Sequence, residues 1–117
     1  MLKIYYNIEL FDVIRTNVKV ILMINITISF LSLLADITNR EEIELSIREN
    51  STIKDALNIL FMKFGNELKE TILVSSDTLN KYIILGLNGK DIRSLNNLNT
   101  ILHNKDELSL LPAIAGG

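Results

Sequence analysis

The sequence predicts a single α+β domain, in which one main helix packs across one face of a mixed β-sheet. Three observations predict it: a strictly alternating apolar stretch, a capped amphipathic helix, and an Asn-Gly pair directly after a run of β-forming residues. At 117 residues the chain is long enough for one hydrophobic core and too short for two. Hydrophobic residues make up 48% and charged residues 22%, a composition typical of globular domains.

The first strand is predicted inside the uncharged stretch from Val20 to Ala35. This stretch is shorter than the roughly 20 residues that a membrane-spanning helix needs. Glu9 and Asp12 lie too early for the basic-then-apolar order of a signal peptide. The interior alternates with a period of two, which is typical of a strand with one buried face: Ile24, Ile26, Ile28 and Phe30 against Asn25, Thr27 and Ser29. We therefore expect a soluble strand and no membrane segment.

Residues 1–22 precede this strand and form an N-terminal extension of uncertain status. Tyr5, Ile8, Phe11 and Ile14 recur at near-helical spacing, while Val18 to Leu22 could instead prolong the strand. Met23 directly precedes the alternating pattern and stands where a start codon is expected. The sequence leaves both an appendage and an overlong gene start open, and we place the domain at 23–117.

The next elements are a second strand and the main helix. Ile43, Leu45 and Ile47 alternate with polar residues, and the polar segment from Asp36 to Glu41 is predicted to connect the two strands as a hairpin. Thr52, with Asp55 three residues later, forms a capping box at the start of a helix. Gly65 follows its apolar stripe and suits the stop position. The stripe consists of Ile53, Ala56, Leu57, Leu60, Phe61 and Phe64.

The second half contains shorter elements. Helical turns are predicted over 66–73, a polar loop over 75–78, and a strand from Tyr82 to Leu87. Asn88-Gly89 turns that strand into a short return through Ile92, because both residues accept a positive φ. A loop with one helical turn near 98–102 precedes the last strand, Glu107 to Leu111. Pro112 is predicted to end that strand, since it has no N–H to donate.

Composition and charge exclude several classes of function. A net charge of −2 and a pI of about 5.3 give no field that favours nucleic acid. The absence of cysteine excludes disulfides, thiolate catalysis and cysteine-bound metals, and it fits a cytoplasmic location. His103 is the one histidine, so neither a histidine-rich metal site nor a Ser/His/Asp triad is expected. We predict no bound metal and no stably bound cofactor.

The order of hairpin, helix, short strands and final strand matches the β-grasp, or ubiquitin-like, fold. In that fold the first and last strands lie parallel at the sheet centre, and the C-terminal tail leaves from the end of the last strand. Here the tail ends in Gly116-Gly117, where no following strand needs a turn. Glycine has no Cβ, so such a tail can thread a narrow channel and present its carboxylate to an enzyme.

From about Met23 to Gly117 the chain resembles the small, sulfur-carrying subunit of molybdopterin synthase, a ubiquitin-like protein. The residues that carry the resemblance are Phe30 to Ala35, Leu87 to Ile92, and above all Asp106 to Gly117. The chain departs from the family pattern at Asn104-Lys105, where the family commonly has Asp-Gly, and at Ala113, where it often has a second proline. These departures affect turn chemistry and tail stiffness and leave the terminal Ala-Gly-Gly intact.

The resemblance implies a chemistry centred on Gly117. An adenylating enzyme of the ubiquitin-activating type would join its carboxylate to AMP from ATP, and a persulfide-type donor would convert the adenylate into a thiocarboxylate. The large catalytic subunit would then receive the tail and use its sulfur to build molybdopterin. Ala115 and Gly116 give the tail access. The chain supplies no general acid or base of its own, so it is a carrier subunit and is not catalytic alone.

Two further interpretations share this tail chemistry up to the adenylate. One is a protein modifier conjugated to lysines through Gly117, and the other is a sulfur carrier for thiamine or for tRNA thiolation. The segment 66–80 makes the chain longer than a minimal thiamine-type carrier. In all three, Leu111 and Ile114 are candidate partner-binding residues beside the tail, although Leu111 could equally pack in the core. Asp106 and Glu107 are interpreted as ordinary strand-edge charges.

Overall fold

The computed structural model describes residues 21–113, and they form the mixed sheet and crossing helix that the sequence predicts. The strands are β1 (Met23–Phe30), β2 (Glu42–Arg48), β3 (Leu73–Ser75), β4 (Thr78–Leu79), β5 (Ile83–Leu87), β6 (Lys90–Asp91) and β7 (Glu107–Pro112). The main sheet has five strands in the order β2-β1-β7-β5-β6, and β3 pairs with β4 in a separate hairpin. The helices are α1 (Leu33–Thr38), α2 (Ile53–Phe64) and α3 (Asn66–Ile72).

The predicted parallel pair lies at the centre of the sheet. β1 pairs with β7 in parallel, with Ile28 opposite Leu108 and Phe30 opposite Leu110. β1 also pairs with β2 in antiparallel register, which confirms the N-terminal hairpin. The sheet therefore has the β-grasp topology, and the last strand of the chain is held on both sides by neighbours.

The core lies between one face of the sheet and α2. The capping box is present: the Asp55 N–H donates to the Thr52 hydroxyl, and the Thr52 N–H donates to the Asp55 carboxylate. The period-two alternation of β1 and β7 and the helical stripe of α2 supply the buried side chains, as predicted. They include Ile24, Ile26, Ile28, Phe30, Ile53, Ala56, Leu57, Leu60, Leu108 and Leu110. The opposite face of the sheet, called the open face below, carries the alternate residues of each strand.

The predicted hairpin connection is wrong in one respect. The chain between β1 and β2 contains α1 (Leu33–Thr38), so only a few residues after it are irregular. Its Leu34 is fully buried, and the Thr38 hydroxyl donates to the Leu34 carbonyl at 2.9 Å, which closes the last turn. A six-residue helix is too short to show a helical period, and its first residues, Leu33 and Leu34, follow the apolar end of β1 closely.

The segment after α2 contains more structure than predicted. The helical turns expected over 66–73 are α3, but the loop expected over 75–78 is the tip of the β3–β4 hairpin. The Asn88-Gly89 turn is confirmed, with φ of 52° and 84° at its two residues. The helical turn expected at 98–102 is a 3₁₀ turn at Asn97–Asn99. No helix within residues 21–113 has the length and apolarity to cross a membrane.

The prediction that Pro112 ends the last strand is wrong by one position. Pro112 pairs with Ile83, and the Ala113 N–H donates to the Tyr82 carbonyl at 2.8 Å. Leu110 directs its carbonyl to Leu31 on the β1 side, so Pro112, two residues later, directs its nitrogen to the same side. Because β1 has already ended there, the missing N–H removes no ladder bond, and the pairing with β5 continues.

Candidate functional site

The candidate site is the end of β7, where the chain leaves the sheet. β7 lies between β1 and β5, and at the end of the described residues the Ala113 N–H donates to the Tyr82 carbonyl. The backbone up to Ala113 is therefore held by the sheet, and four residues follow it in the sequence. Of the predicted site residues, Ile114, Ala115, Gly116 and Gly117 lie outside the described residues.

Leu111 is the one predicted site residue that the structure describes. It is half-buried, and its neighbours Leu108 and Leu110 are fully buried. Since alternate residues of a strand face opposite sides, Leu111 lies on the open face, where its cross-strand partner is Ile84 of β5. Leu111 is therefore not packed in the core between the sheet and α2, and its role in partner binding stays a prediction.

Exposed apolar side chains surround the point where β7 ends. Leu31 and Leu33 follow β1 and are 42% and 52% exposed, while Tyr82 precedes β5 and is 62% exposed. Leu31 lies beside β7, because its N–H donates to the Leu110 carbonyl at 3.0 Å. We call Leu31, Leu33, Tyr82, Ile84 and Leu111 the apolar rim.

Sequence reasoning missed most of this rim, because apolar residues at strand ends look like core residues. The available signal was the apolar sequence Phe30-Leu31-Ser32-Leu33-Leu34, which continues after the alternation of β1 stops. Only some of these side chains can be buried beside a strand end, so the remainder must face solvent. Single exposed apolar residues are ordinary, but several around one chain terminus indicate an interaction surface.

Ser32 links β1 to α1 in a strained conformation next to the rim. Its φ of 53° and ψ of −125° lie in a region that side chains rarely adopt. The Ser32 carbonyl accepts from the N–H groups of Ala35 and Asp36, so the bend begins α1. Outliers of this kind cost about 1–3 kcal/mol and persist only where surrounding contacts hold them. The bend places Leu31 and Leu33 on the surface beside β7.

Among the described residues, an exposed lysine lies near the end of β7. The Lys81 ammonium lies 5.1 Å from the centre of the Tyr82 ring, a cation–π contact at the rim. Elsewhere, hydrogen bonding to Arg93 lowers the pKa of Asp91, and hydrogen bonding to Lys54 lowers the pKa of Asp77. Asp91 lies opposite Gly86, toward the start of β7, and Asp77 lies in the β3–β4 turn. These two ion pairs therefore lie outside the rim.

The start of β7 is held by a buried carboxylate, which corrects the interpretation of Asp106 as a strand-edge charge. Asp106 is only 9% exposed, and it accepts from the His103 N–H at 2.7 Å and the Asn88 side-chain amide at 2.9 Å. The Asn88 side-chain carbonyl in turn accepts from the Glu107 N–H at 2.8 Å. This Asn88–Asp106 clamp ties the hairpin turn to β7. The His103 side chain is exposed.

Comparison with known proteins gives consistent matches. The chain is 30% identical over 79 residues to an Archaeoglobus fulgidus protein described as a candidate sulfur carrier, covering 68% of this chain and 88% of that protein. Its structure is similar to that of small archaeal modifier protein 1 (SAMP1) from Methanosarcina acetivorans, with a TM-score of 0.69 and 30% identity, covering 81% of this chain and 98% of the other.

A third match, to a candidate molybdopterin converting factor subunit 1 from Pyrococcus furiosus, has a TM-score of 0.63 and 13% identity. It covers 78% of this chain and 99% of that one, and at this identity it shows the shared fold alone. The sequence profile of the ThiS family matches residues 28–117, which include β7, the rim and the diglycine tail. The chain therefore belongs to the ThiS family of ubiquitin-like β-grasp proteins.

Proposed function

We propose that this protein is a sulfur carrier for molybdopterin synthesis, loaded with sulfur at the carboxylate of Gly117. The observation that carries the proposal is the continuity between β7 and the tail: a central strand, bonded on both sides, leads within four residues to Gly117. Four extended residues reach at most about 14 Å beyond Ala113. An enzyme that binds the end of the sheet thus has the carboxylate within that reach.

The chemistry begins with activation, because a carboxylate is a poor electrophile. An adenylating enzyme transfers AMP from ATP to the Gly117 carboxylate and releases pyrophosphate. The terminal sulfur of a persulfide then attacks the carbonyl carbon, AMP leaves, and a thiol reduces the resulting acyl disulfide to a thiocarboxylate. The thiocarboxylate is ionised at neutral pH and nucleophilic, since deprotonated sulfur is the reactive form. Gly117 carries the reacting atom. Ala115 and Gly116 have small side chains or none, so the tail can enter a narrow channel of the enzyme.

The rim supplies the docking surface in this proposal. The half-buried Leu111 and Ile84 form a cross-strand pair on the open face, and the exposed Tyr82 lies at the end of the same strand pair. Apolar residues around a reactive tail suit transient binding to two successive enzymes, the adenylating enzyme and the large catalytic subunit of molybdopterin synthase. Ile114, directly after the sheet-bonded Ala113, is proposed to extend this contact.

The molybdopterin assignment rests on the motif resemblance at Asp106 to Gly117 and on the shared fold with the converting-factor subunit. It places the protein in the cytoplasm with its enzyme partners. A second candidate function is protein modification through an isopeptide bond from Gly117 to lysine. The likeness to SAMP1 at 30% identity favours this second candidate.

Two parallel measurements separate sulfur transfer to molybdopterin from protein modification. Purified protein carrying the thiocarboxylate is incubated with the large synthase subunit and its pterin substrate, and molybdopterin is measured directly. We expect stoichiometric molybdopterin formation and loss of the sulfur from Gly117. In parallel, a tagged chain is expressed in its native host, and lysine adducts ending in Gly-Gly are sought by mass spectrometry. Adducts that depend on Gly117, with no sulfur transfer to the pterin, would replace the first function with the second.

A further inference from the structure

The outer edge of β2 is the second exposed surface of the fold. β2 is the outermost strand on its side, and no described strand pairs with its outer edge. At seven residues it is long for an unprotected edge, and such edges are templates for pairing with another chain. The opposite edge, β6, has only two residues and offers no comparable template.

The backbone register shows which groups of β2 point away from β1. Phe30 donates to the Glu41 carbonyl, and Glu49 donates to the Leu22 carbonyl, so odd-numbered residues of this segment direct their N–H and C=O groups toward β1. Because these groups alternate along an antiparallel strand, the groups of Glu42, Glu44, Ser46 and Arg48 point outward. The outer edge is thus an uninterrupted row of donors and acceptors, with no proline or bulge to block it.

The side chains of β2 are self-complementary about Leu45. If two copies of β2 pair antiparallel with Leu45 opposite Leu45, Glu42 lies opposite Arg48 and Ile43 lies opposite Ile47. In this register the outward backbone groups of Glu42 and Arg48 face each other, as do those of Glu44 and Ser46, so the ladder closes without a shift. Within residues 21–113 neither Glu42 nor Arg48 is part of an ion pair. Both are exposed and available to a second copy.

The apolar side of β2 is also incompletely covered. Ile43 and Leu45 face α2 but remain half-exposed, whereas Ile47 is buried. A shallow pocket lies between the end of β2 and α2, with Ile47 and Ile59 in its lining. In the symmetric register Ile43 of the second copy lies opposite Ile47 and so next to this pocket. The two-fold axis repeats the same contact on the other side.

We propose that β2 is the interface of a symmetric dimer, in which two copies of this chain join their sheets antiparallel about Leu45. The interface is isologous, since the same strand serves on both sides. Its size is one strand pair with a narrow apolar flank, below that of standard stable interfaces, so the dimer is weak and concentration-dependent. The like charges of Glu41 and Glu49 meet just outside the strand ends, which weakens it further. β1 separates β2 from β7, so the interface lies one strand away from the end of each β7, and on the proposed function the dimer has two loading sites.

Charge reversal tests the register. Sedimentation velocity of the full chain over a wide concentration range is expected to show a monomer–dimer equilibrium. Glu42→Arg and Arg48→Glu each place like charges opposite each other twice per dimer. Each should lower the association constant by about tenfold or more. The double variant Glu42→Arg/Arg48→Glu restores the pairs and should restore the dimer. Glu67→Arg on α3 makes the same charge change away from the edge and should leave association unchanged.

Mixing gives the sharpest outcome. The two single variants are complementary to each other, so an equimolar mixture should form a heterodimer that neither forms alone. Amide exchange gives an independent readout: the N–H groups of Glu44 and Ser46 should gain protection as concentration rises, while that of Leu45, already directed to β1, should not change. A wild-type chain that stays monomeric throughout, or a dimer that charge reversal does not affect, would overturn the proposal. If Glu44→Arg, and not Glu42→Arg, restored the dimer of the Arg48→Glu variant, the proposed register would be overturned.

Discussion

Replacing Asp106 with alanine should destabilise the domain by about 3–4 kcal/mol. The carboxylate accepts two hydrogen bonds, from the His103 N–H and the Asn88 amide, in a site that is 9% exposed. Hydrogen bonds to a charged group contribute about 1.5–3 kcal/mol each, and buried donors left without a partner add their own cost. Because both donors are only partly buried, the lower part of the summed range applies.

Urea unfolding at neutral pH measures this cost directly. Asp106→Asn should retain about half of the stabilisation that Asp106 contributes. The asparagine side chain has one oxygen where the carboxylate has two, so it accepts from only one of the two donors. The double variant Asn88→Ala/Asp106→Ala should lose less than the sum of the single variants, with a coupling of about 0.5–3 kcal/mol. An Asp106→Ala protein within about 0.5 kcal/mol of wild type would refute the clamp, because changes of that size are typical of exposed surface positions.

Three further predictions concern the tail end of the sheet and the extension. Ser32→Gly should raise the free energy of unfolding by about 1 kcal/mol, because glycine adopts positive φ without strain, and a lowered melting temperature would contradict this. Leu111→Asp and Ile114→Asp should each weaken binding to the adenylating enzyme and the large subunit, as measured by calorimetry. The melting temperature should change little. Unaltered binding to both partners would exclude the rim as a docking surface. A chain that begins at Met23 should unfold cooperatively and still accept sulfur. Its free energy of unfolding should fall by only about 1 kcal/mol, because the hydrogen bond from the Glu49 N–H to the Leu22 carbonyl is lost. Aggregation of this chain would instead show that the domain begins within 1–22.

The fold follows from local patterns wherever those patterns are long. The alternation of β1, the capping box at Thr52 and the Asn88-Gly89 turn each predict their element, because each encodes a backbone geometry in a few neighbouring residues. Short elements were missed for the opposite reason. α1 has six residues and β4 has two, so neither shows a period that separates it from its surroundings.

The chemistry proposed for the site comes from the sequence, whereas its surroundings depend on the fold. A C-terminal Gly-Gly pair suggests a tail that enters a narrow channel, because the missing Cβ of glycine is a property of the residue itself. The rim depends on tertiary packing: whether Leu111 faces the core depends on strand parity, which sequence fixes only when the register is known. Asp106 shows the same limit. Its hydrogen-bond donors, Asn88 and His103, lie 18 and 3 residues away along the chain, so the short local pattern does not reveal them.

The most direct test of the central claim is the mass of the C-terminus after activation. The intact protein is incubated with its adenylating enzyme, ATP and a persulfide donor, then reduced and weighed by mass spectrometry. The account predicts a gain equal to the replacement of one oxygen by sulfur, confined to the peptide that ends in Gly117. Chains that lack Gly117, or carry one residue after it, should fold normally and gain nothing. Sulfur incorporation in either altered chain, or its absence from the intact one, would contradict the account.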